Sequence, residues 1–291
     1  QKLVAKSADD RYQSAYGLYR DLEQCRDMYL SGKYIDVFPL ARHDVSGRLT
    51  ISQALYGRER EVEELIAAFS RIAGGGVEMM FVAGYSGVGK TSLVNEAHKP
   101  ITGKKGIFVS GKFDQYQRNV PYSAFINVFS QLIDQVLYQA EDRLNIYRHL
   151  LKEALGSHAG VFANLVPGIE LLLGEQEAEV DLGPVELQNL FNQLTKSFIQ
   201  VFAKAEHPLV VFIDDFQWAD LASLKMLEVV LEDPELSYFL LIGSYRDNEV
   251  DENHPLVLTK KKLESVVTST TITLKPLLEI HVARLLLDTF H

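Results

Sequence analysis

A glycine-rich segment that ends in lysine and threonine is the clearest chemical pattern in the chain. It matches G-x-x-x-x-G-K-[ST], and its residues are Gly84, Tyr85, Ser86, Gly87, Val88, Gly89, Lys90 and Thr91. Glycines let the backbone turn tightly, so successive N–H groups point at an anion, and a following helix adds partial positive charge. We therefore expect this segment, with Ser92 after it, to bind the phosphates of ATP or ADP. Lys90 would reach the β- and γ-phosphates and Thr91 would bind Mg²⁺.

The surroundings of this phosphate loop (residues 84–91) favour the same interpretation. An apolar run at residues 79–83 precedes it and predicts a strand, and residues 91–94 open a helix. The alternative is a glycine turn between strand and helix without a ligand. Such a turn does not need both Lys90 and the Thr91 hydroxyl, so we favour the nucleotide site.

Two consecutive acids follow another strongly apolar run, residues 209–213. A buried strand that ends in carboxylates is what a magnesium–nucleotide site requires. We expect Asp214 to hold Mg²⁺ through its water shell and Asp215 to act as general base on the attacking water. The alternative is that the strand simply ends in an aspartate at a turn.

Two arginines are further candidates. Arg246 follows a predicted strand, and we expect it to sense the γ-phosphate; otherwise it is a surface arginine paired with Asp247 or Glu249. Arg58 could approach the base or ribose, or be an exposed charge at a helix start, and the sequence leaves both open. For Trp218 we favour a packing role.

Polar segments elsewhere carry weaker signals. Lys112 and Arg118 follow a predicted strand and could contact a partner, although a plain surface role is favoured. The lysine run at residues 260–262 is interpreted as a solvated face.

Alternating strands and helices must position these residues. Strands are predicted at residues 78–83, 106–110, 209–214, 238–244 and 271–274. Helices are predicted at residues 14–30, 59–72, from 90, from 121, at 141–155, 185–203 and 278–290. This alternation indicates an α/β fold with a parallel sheet covered by helices on both faces.

Composition narrows the class of protein. The chain is 47% hydrophobic and 23% charged, which is ordinary for a globular protein. A net charge of −10 argues against a broad nucleic-acid surface, which requires a basic face. No apolar run is long enough to span a bilayer and no leader is recognisable, so we expect a cytoplasmic protein without membrane insertion. The single cysteine, Cys25, fits a reducing compartment, and the first residue, Gln, suggests a fragment.

Several segments together resemble a known family. Residues 57–59, the phosphate loop, I-D-D-F-Q-W-A-D at 213–220 and G-S-Y-R-D-N-E-V at 243–250 look like the STAND-class, Orc1-like AAA ATPase module, a P-loop NTPase. The closest form is that of large bacterial, often cyanobacterial, multidomain signalling kinases, where the module follows a Ser/Thr kinase domain and precedes histidine-kinase domains. Residues 2–14 resemble the end of such a kinase domain, with Arg11 at its structural arginine.

This resemblance implies an organisation. Residues 1–30 would be a kinase remnant without kinase catalytic motifs, 31–54 a linker, 55–276 the NTPase core and 277–291 the start of a helical lid. The core sheet would have five parallel strands in the order 5-1-4-3-2.

Three functions fit. The leading one is a regulatory ATPase switch that couples to flanking kinase and sensor domains. The alternatives are an ATP- or ADP-locked scaffold that self-associates without turnover, and the ATPase module of a transcription regulator.

Overall fold

The computed structural model of the 291-residue chain describes residues 2–5, 11–32, 37–44, 55–116, 120–176 and 182–290. The chain divides into two compact units. The first unit comes from residues 1–54 and 279–291, and the second from residues 55–278. Of the predicted linker at 31–54, residues 33–36 and 45–54 lie outside the described residues, as does Arg118.

The strands and helices alternate along most of the second unit. The strands are β1 Val77–Ala83, β2 Ile107–Lys112, β3 Leu209–Asp214, β4 Phe239–Tyr245 and β5 Thr268–Thr273. The α-helices of the described residues are α1 Ala15–Leu30, α2 Glu59–Ile72, α3 Lys90–Gly103, α4 Ser123–Leu137, α5 Glu141–Leu155, α6 Ala159–Ala163, α7 Ile169–Leu173, α8 Pro184–Phe202, α9 Leu221–Leu231, α10 Pro255–Leu263 and α11 Glu279–Phe290.

The five strands form one parallel sheet in the order β2-β3-β4-β1-β5. Counted from the other edge this is 5-1-4-3-2, so the predicted order is confirmed. The register aligns the strands at their carboxyl ends, with Ala83 opposite Tyr245 and Lys112 opposite Asp214. Because all strands run the same way, the segments that follow them meet at one edge of the sheet.

Both faces of the sheet are covered by helices, as the sequence predicts. In β1, Met79 and Phe81 face one apolar core, and Met80 and Val82 face the other. Helices α2 and α3 supply the second core, whereas α4 to α10 supply the first. Strands buried on both faces show near-continuous apolar runs, which explains why β3 was predictable at its observed bounds.

The sequence predictions miss four helices, α6, α7, α9 and α10. Two of these, α6 and α7, have only five residues each, too short for a 3.6-residue period to show. Strand β5 begins three residues before its predicted start at 271 and ends at Thr273. Its first residues are Ser and Thr, so an apolar signal is weak at this sheet edge.

Helix α1 of the first unit, predicted at residues 14–30, is capped by a serine and buries a glycine and an aspartate. The Ser14 side chain accepts a hydrogen bond from Gly17 N, as a capping serine should. Leu22 of this helix is 59% exposed, whereas Gly17 and Asp21 are buried. The Asp21 carboxylate accepts hydrogen bonds from the Tyr12 hydroxyl at 2.6 Å and from Ala41 N. These bonds hold the Asp21 side of α1 against the segments that contain Tyr12 and Ala41.

Among the described residues, no helix combines the length and apolar character needed to cross a membrane.

Candidate functional site

The phosphate loop connects β1 to α3 and depends on glycine at two points. Gly84 has φ 151°, and a Cβ built there would lie 2.9 Å from the Leu274 carbonyl oxygen. Gly89, with φ 99°, is the N-cap of α3, and no side chain caps this helix. The first N–H groups of α3 are therefore available to an anion, reinforced by the helix dipole.

Lys90 folds back over its own loop. Its Nζ donates hydrogen bonds to the carbonyl oxygens of Gly84 at 2.8 Å and Tyr85 at 2.9 Å. Burial lowers the pKa of Lys90, and the negative charges of Asp214 and Asp215 oppose that effect. A partly desolvated ammonium of this kind interacts strongly with phosphate oxygens.

Asp214 and Thr91 form the centre of the site. The Thr91 hydroxyl donates to Asp214 Oδ2 at 2.8 Å. The other carboxylate oxygen, Oδ1, accepts from the Ser244 hydroxyl on β4 and from Asp215 N at 3.1 Å. Residues of α3 and β4 thus hydrogen-bond to the carboxylate of Asp214, the last residue of β3, and fix it beside the phosphate loop.

Asp215 lies next to two cationic side chains. Lys112 Nζ is 2.9 Å from its Oδ2, and Arg246 Nε is 3.6 Å from its Oδ1. Gln217 Nε2 also donates to Oδ1 at 2.8 Å. Burial alone raises the pKa of Asp215, but Gln217, Lys112 and Arg246 outweigh it and hold the pKa below its usual value. The carboxylate is therefore ionised at neutral pH.

Arg246 lies between an acidic surface partner and the acids of the site, and its role as γ-phosphate sensor stays a prediction. Its guanidinium forms an ion pair with Glu249 at 2.7 Å, as the surface alternative predicts. It also lies 4.8 Å from the ring of buried Trp218 and faces Asp215. The ring and Glu249, which accepts from Trp218 Nε1 at 3.1 Å, position the guanidinium beside the acids.

These groups line one cavity of about 250 Å³ at the carboxyl edge of the sheet. The residues that line it are Ser86, Gly87, Gly89, Lys90, Thr91, Ser92, Lys112, Asp214, Asp215 and Arg246. Of the remaining phosphate-loop residues, Gly84 and Tyr85 contribute the carbonyls that hold Lys90, and the Val88 side chain packs near Gly84.

Arg58 is not among the residues that line this cavity. It is only 7% exposed, so the exposed helix-start alternative is wrong. Its guanidinium contacts Glu61 at 3.3 Å and donates to the Lys275 carbonyl. A contact between Arg58 and the base or ribose stays a prediction.

Sequence reasoning missed three contributors: Lys112, Gln217 and Ser244. The predicted second strand ended at residue 110, so Lys112 was placed in a loop rather than on β2. Lys112 could have been found from the strand order, because the last residue of a strand next to β3 lies at the same edge of the sheet as Asp214. Ser244 has the same position on β4.

The oxygen atoms of Thr91 and Asp214 suit Mg²⁺. This ion is usually bound by one or two protein oxygens together with waters and substrate phosphates, rather than by an all-protein cage. Within the described residues, no group of three or more His, Cys, Asp or Glu side chains could hold a metal alone. The pair at 2.8 Å therefore fits an ion that arrives with a nucleotide.

Comparison with known families decides the class of this site. Residues 54–242, which include the phosphate loop, β3 and most of β4, match the AAA ATPase domain. The chain belongs to the AAA ATPase domain family. This membership implies that the chain binds a nucleotide, in agreement with the geometry of the cavity.

Two relatives have the names of histidine kinases. The chain is 38% identical over 251 residues to hybrid signal transduction histidine kinase G of Dictyostelium discoideum, covering 79% of this chain. It is 22% identical over 270 residues to histidine protein kinase 1 of Candida albicans, again covering 79%. The matches span only 7% and 11% of those proteins' lengths. Both relatives are eukaryotic, and the bacterial, STAND-class assignment stays a prediction.

A similar solved structure is that of the Orc1 protein of Aeropyrum pernix in complex with DNA. The TM-score is 0.44 at 12% identity, and the match covers 82% of this chain and 50% of that chain.

Proposed function

We propose that this chain is an ATP-binding regulatory ATPase module, a nucleotide-dependent switch inside a larger signalling protein. The observation that carries the proposal is the single cavity in which Lys90, Thr91, Asp214, Asp215 and Arg246 all meet. Each has the type and position that phosphate binding or hydrolysis requires. The phosphate loop would bind the phosphates of a nucleoside triphosphate, and Asp214 and Asp215 would support its hydrolysis.

Hydrolysis assigns a distinct task to each side chain. Asp215, ionised and beside the cavity, accepts the proton of the water that attacks the γ-phosphorus, and the bond to the leaving ADP oxygen breaks. Lys90 and Arg246 stabilise the charge that develops on the phosphoryl oxygens. A bound Mg²⁺, held through Thr91 and Asp214, would neutralise β- and γ-phosphate charge.

The signalling context rests on the relatives. Two are named as histidine kinases, and the chain matches only a small part of each, as expected for one module of a multidomain protein. Residues 2–14 resemble the end of a Ser/Thr kinase domain. The module would therefore transmit its nucleotide state to flanking kinase and sensor domains, and self-association in the ATP state is one means of doing so.

A scaffold without turnover is the second candidate, and one observation favours it. Both oxygens of Asp215 contact other side chains: Gln217 and Arg246 at Oδ1, and Lys112 at Oδ2. A carboxylate held this way is a weaker base toward water. In that case the nucleotide would stabilise an assembly rather than be consumed.

Binding is tested with Lys90→Ala. We expect Mg²⁺–ATP to bind the parent chain, and the variant to lose about 2–5 kcal/mol of binding free energy because a desolvated cation is removed. Lys99→Ala is the matched control, an exposed lysine on the same helix. Equal affinity in Lys90→Ala and the parent would contradict the site.

Turnover is tested with Asp215→Asn, which preserves shape and removes the base. We expect ATP binding to persist and the hydrolysis rate to fall by a factor of about 10² to 10⁴. Unchanged turnover would exclude Asp215 as the base. A parent chain that binds ATP, never hydrolyses it and has a different size in solution with a non-hydrolysable ATP analogue than with ADP would establish the scaffold instead.

A further inference from the structure

A larger cavity of about 560 Å³ lies in the same unit and shares no lining residue with the nucleotide cavity. Its lining includes Ile107, the first residue of β2, and His207, just before β3. It therefore opens at the amino ends of these strands, opposite the edge that carries Asp214. Its volume is within the range of small-molecule sites in proteins.

The inner wall of this cavity is apolar and aromatic. Leu132 and Val136 of α4 form one side, and the Tyr147 ring stacks on Phe202 with a centroid distance of 5.5 Å and an interplanar angle of 19°. Burial raises the pKa of Tyr147, so its phenol is neutral at physiological pH. Stacked rings and branched aliphatic chains favour an apolar ligand body.

The polar atoms of this wall are already paired. His207 Nδ1 lies 2.9 Å from the Phe202 carbonyl oxygen, which can only accept, so this nitrogen carries the proton. The other ring nitrogen, Nε2, is hydrogen-bonded to the Tyr147 hydroxyl at 3.1 Å. Because these groups satisfy each other, they present ring faces to the cavity rather than free donors.

The rim is positively charged, in contrast to the acidic chain around it. Lys105 and Arg143 line the cavity, are exposed, and form no ion pair with any residue that the structure describes. Glu206 and His207 are the other titratable groups at the rim beside Tyr147. With two permanent cations against one carboxylate, the rim carries net positive charge in a chain of net charge −10.

We infer that this cavity binds a small amphipathic organic acid. Its apolar body lies against Tyr147 and Phe202, and its carboxylate pairs with Arg143 and Lys105. The apolar wall disfavours a fully hydrated inorganic anion, and the rim charge disfavours a neutral or cationic molecule. Lys105 lies two residues after Gly103, the last residue of α3, the helix that begins at Lys90.

The inference does not depend on nucleotide chemistry, and it is tested without nucleotide. Calorimetric titration of the whole chain would compare 4-phenylbutyrate with 4-phenylbutan-1-ol, which has nearly the same shape and no charge. We expect saturable binding of the acid with Kd below about 1 mM and binding of the alcohol at least about tenfold weaker.

The double variant Lys105→Gln with Arg143→Gln, which replaces both rim cations by neutral side chains, should weaken binding of the acid about tenfold or more. The matched control is Arg60→Gln with Lys152→Gln, two exposed cations outside the cavity whose loss changes net charge equally. The control should bind within about twofold of the parent. Absence of saturable binding, equal affinity for acid and alcohol, or equal loss in both double variants would overturn the inference.

Discussion

Lys112, the last residue of β2, forms an ion pair of 2.9 Å with Asp215, the residue that follows the neighbouring strand β3. In the parallel register Lys112 is opposite Asp214, and the next residue, Asp215, has a left-handed backbone with φ 55°. The pair thus links the outer strand β2 to the acid proposed as general base. It also makes the ionisation of Asp215 sensitive to a residue outside the phosphate loop.

Replacing Lys112 by Met should move the acid limb of the pH–rate profile to higher pH. The hydrogen bond and charge of Lys112 help to lower the pKa of Asp215 against the effect of burial, so their loss raises it. A base acts only when ionised: activity is present above its pKa and is lost as pH falls through it. ATP hydrolysis measured against pH would show the shift.

Lys225→Met is the control for this prediction. Lys225 pairs with Glu228 at the same 2.9 Å and has a comparable side-chain exposure, 56% against 62% for Lys112. Its profile should coincide with that of the parent. An acid limb that stays in place in Lys112→Met would show that Asp215 is not the titrating base.

Arg246→Ala should reduce the hydrolysis rate by a factor on the order of 10² while ADP affinity changes little. The reason is that the guanidinium, held by Trp218 and Glu249, lies beside Asp215, where γ-phosphoryl charge would develop. Single-turnover kinetics and ADP titration would separate the two effects. The exposed Arg60→Ala variant should behave as the parent, and an equal loss of ATP and ADP affinity in Arg246→Ala would contradict a role as γ-phosphate sensor.

Much of this site could be predicted from local sequence, but the partners of Asp215 could not. The phosphate loop and β3 carry continuous local signals, a glycine pattern and an unbroken apolar run. Lys112 has no such signal, because its proximity to Asp215 depends on which strands become neighbours and in what register. For Arg246, sequence offered two alternatives, and its side chain contacts Glu249 while facing Asp215. The pairing with Glu249 is confirmed, and the role as γ-phosphate sensor stays a prediction.

Gly84→Ala should destabilise the protein more than Gly87→Ala. Both positions have positive φ, 151° and 76°, so either alanine is strained by about 1–2 kcal/mol. Only at Gly84 would the new Cβ also meet backbone, the Leu274 carbonyl oxygen at 2.9 Å; at Gly87 nothing lies within 4 Å. Urea unfolding would give the free energies of unfolding, and equal losses would show that the loop adjusts without cost.

Thr195→Val should raise the free energy of unfolding by about 1 kcal/mol. Thr195 on α8 is fully buried, and its Oγ1 has no hydrogen-bond partner among the described residues. Valine has nearly the same shape without the polar atom. Thr102→Val is the comparison, since that hydroxyl is exposed and bonds to the His98 carbonyl, so it should give no gain. A destabilised Thr195→Val would indicate that the hydroxyl is hydrogen-bonded in solution.

The contact between Thr91 and Asp214 joins residues 123 positions apart. Five helices, α4 to α8, separate β2 from β3, although these strands are neighbours in the sheet. Such non-local pairing forms slowly, because the entropy lost on closing a long loop precedes the favourable energy of the contact. During synthesis the phosphate loop is therefore present long before Asp214, the other residue proposed to hold Mg²⁺, can join Thr91. Nucleotide binding that uses both residues would select only fully folded molecules, so it would stabilise the whole domain against unfolding and proteolysis rather than one loop.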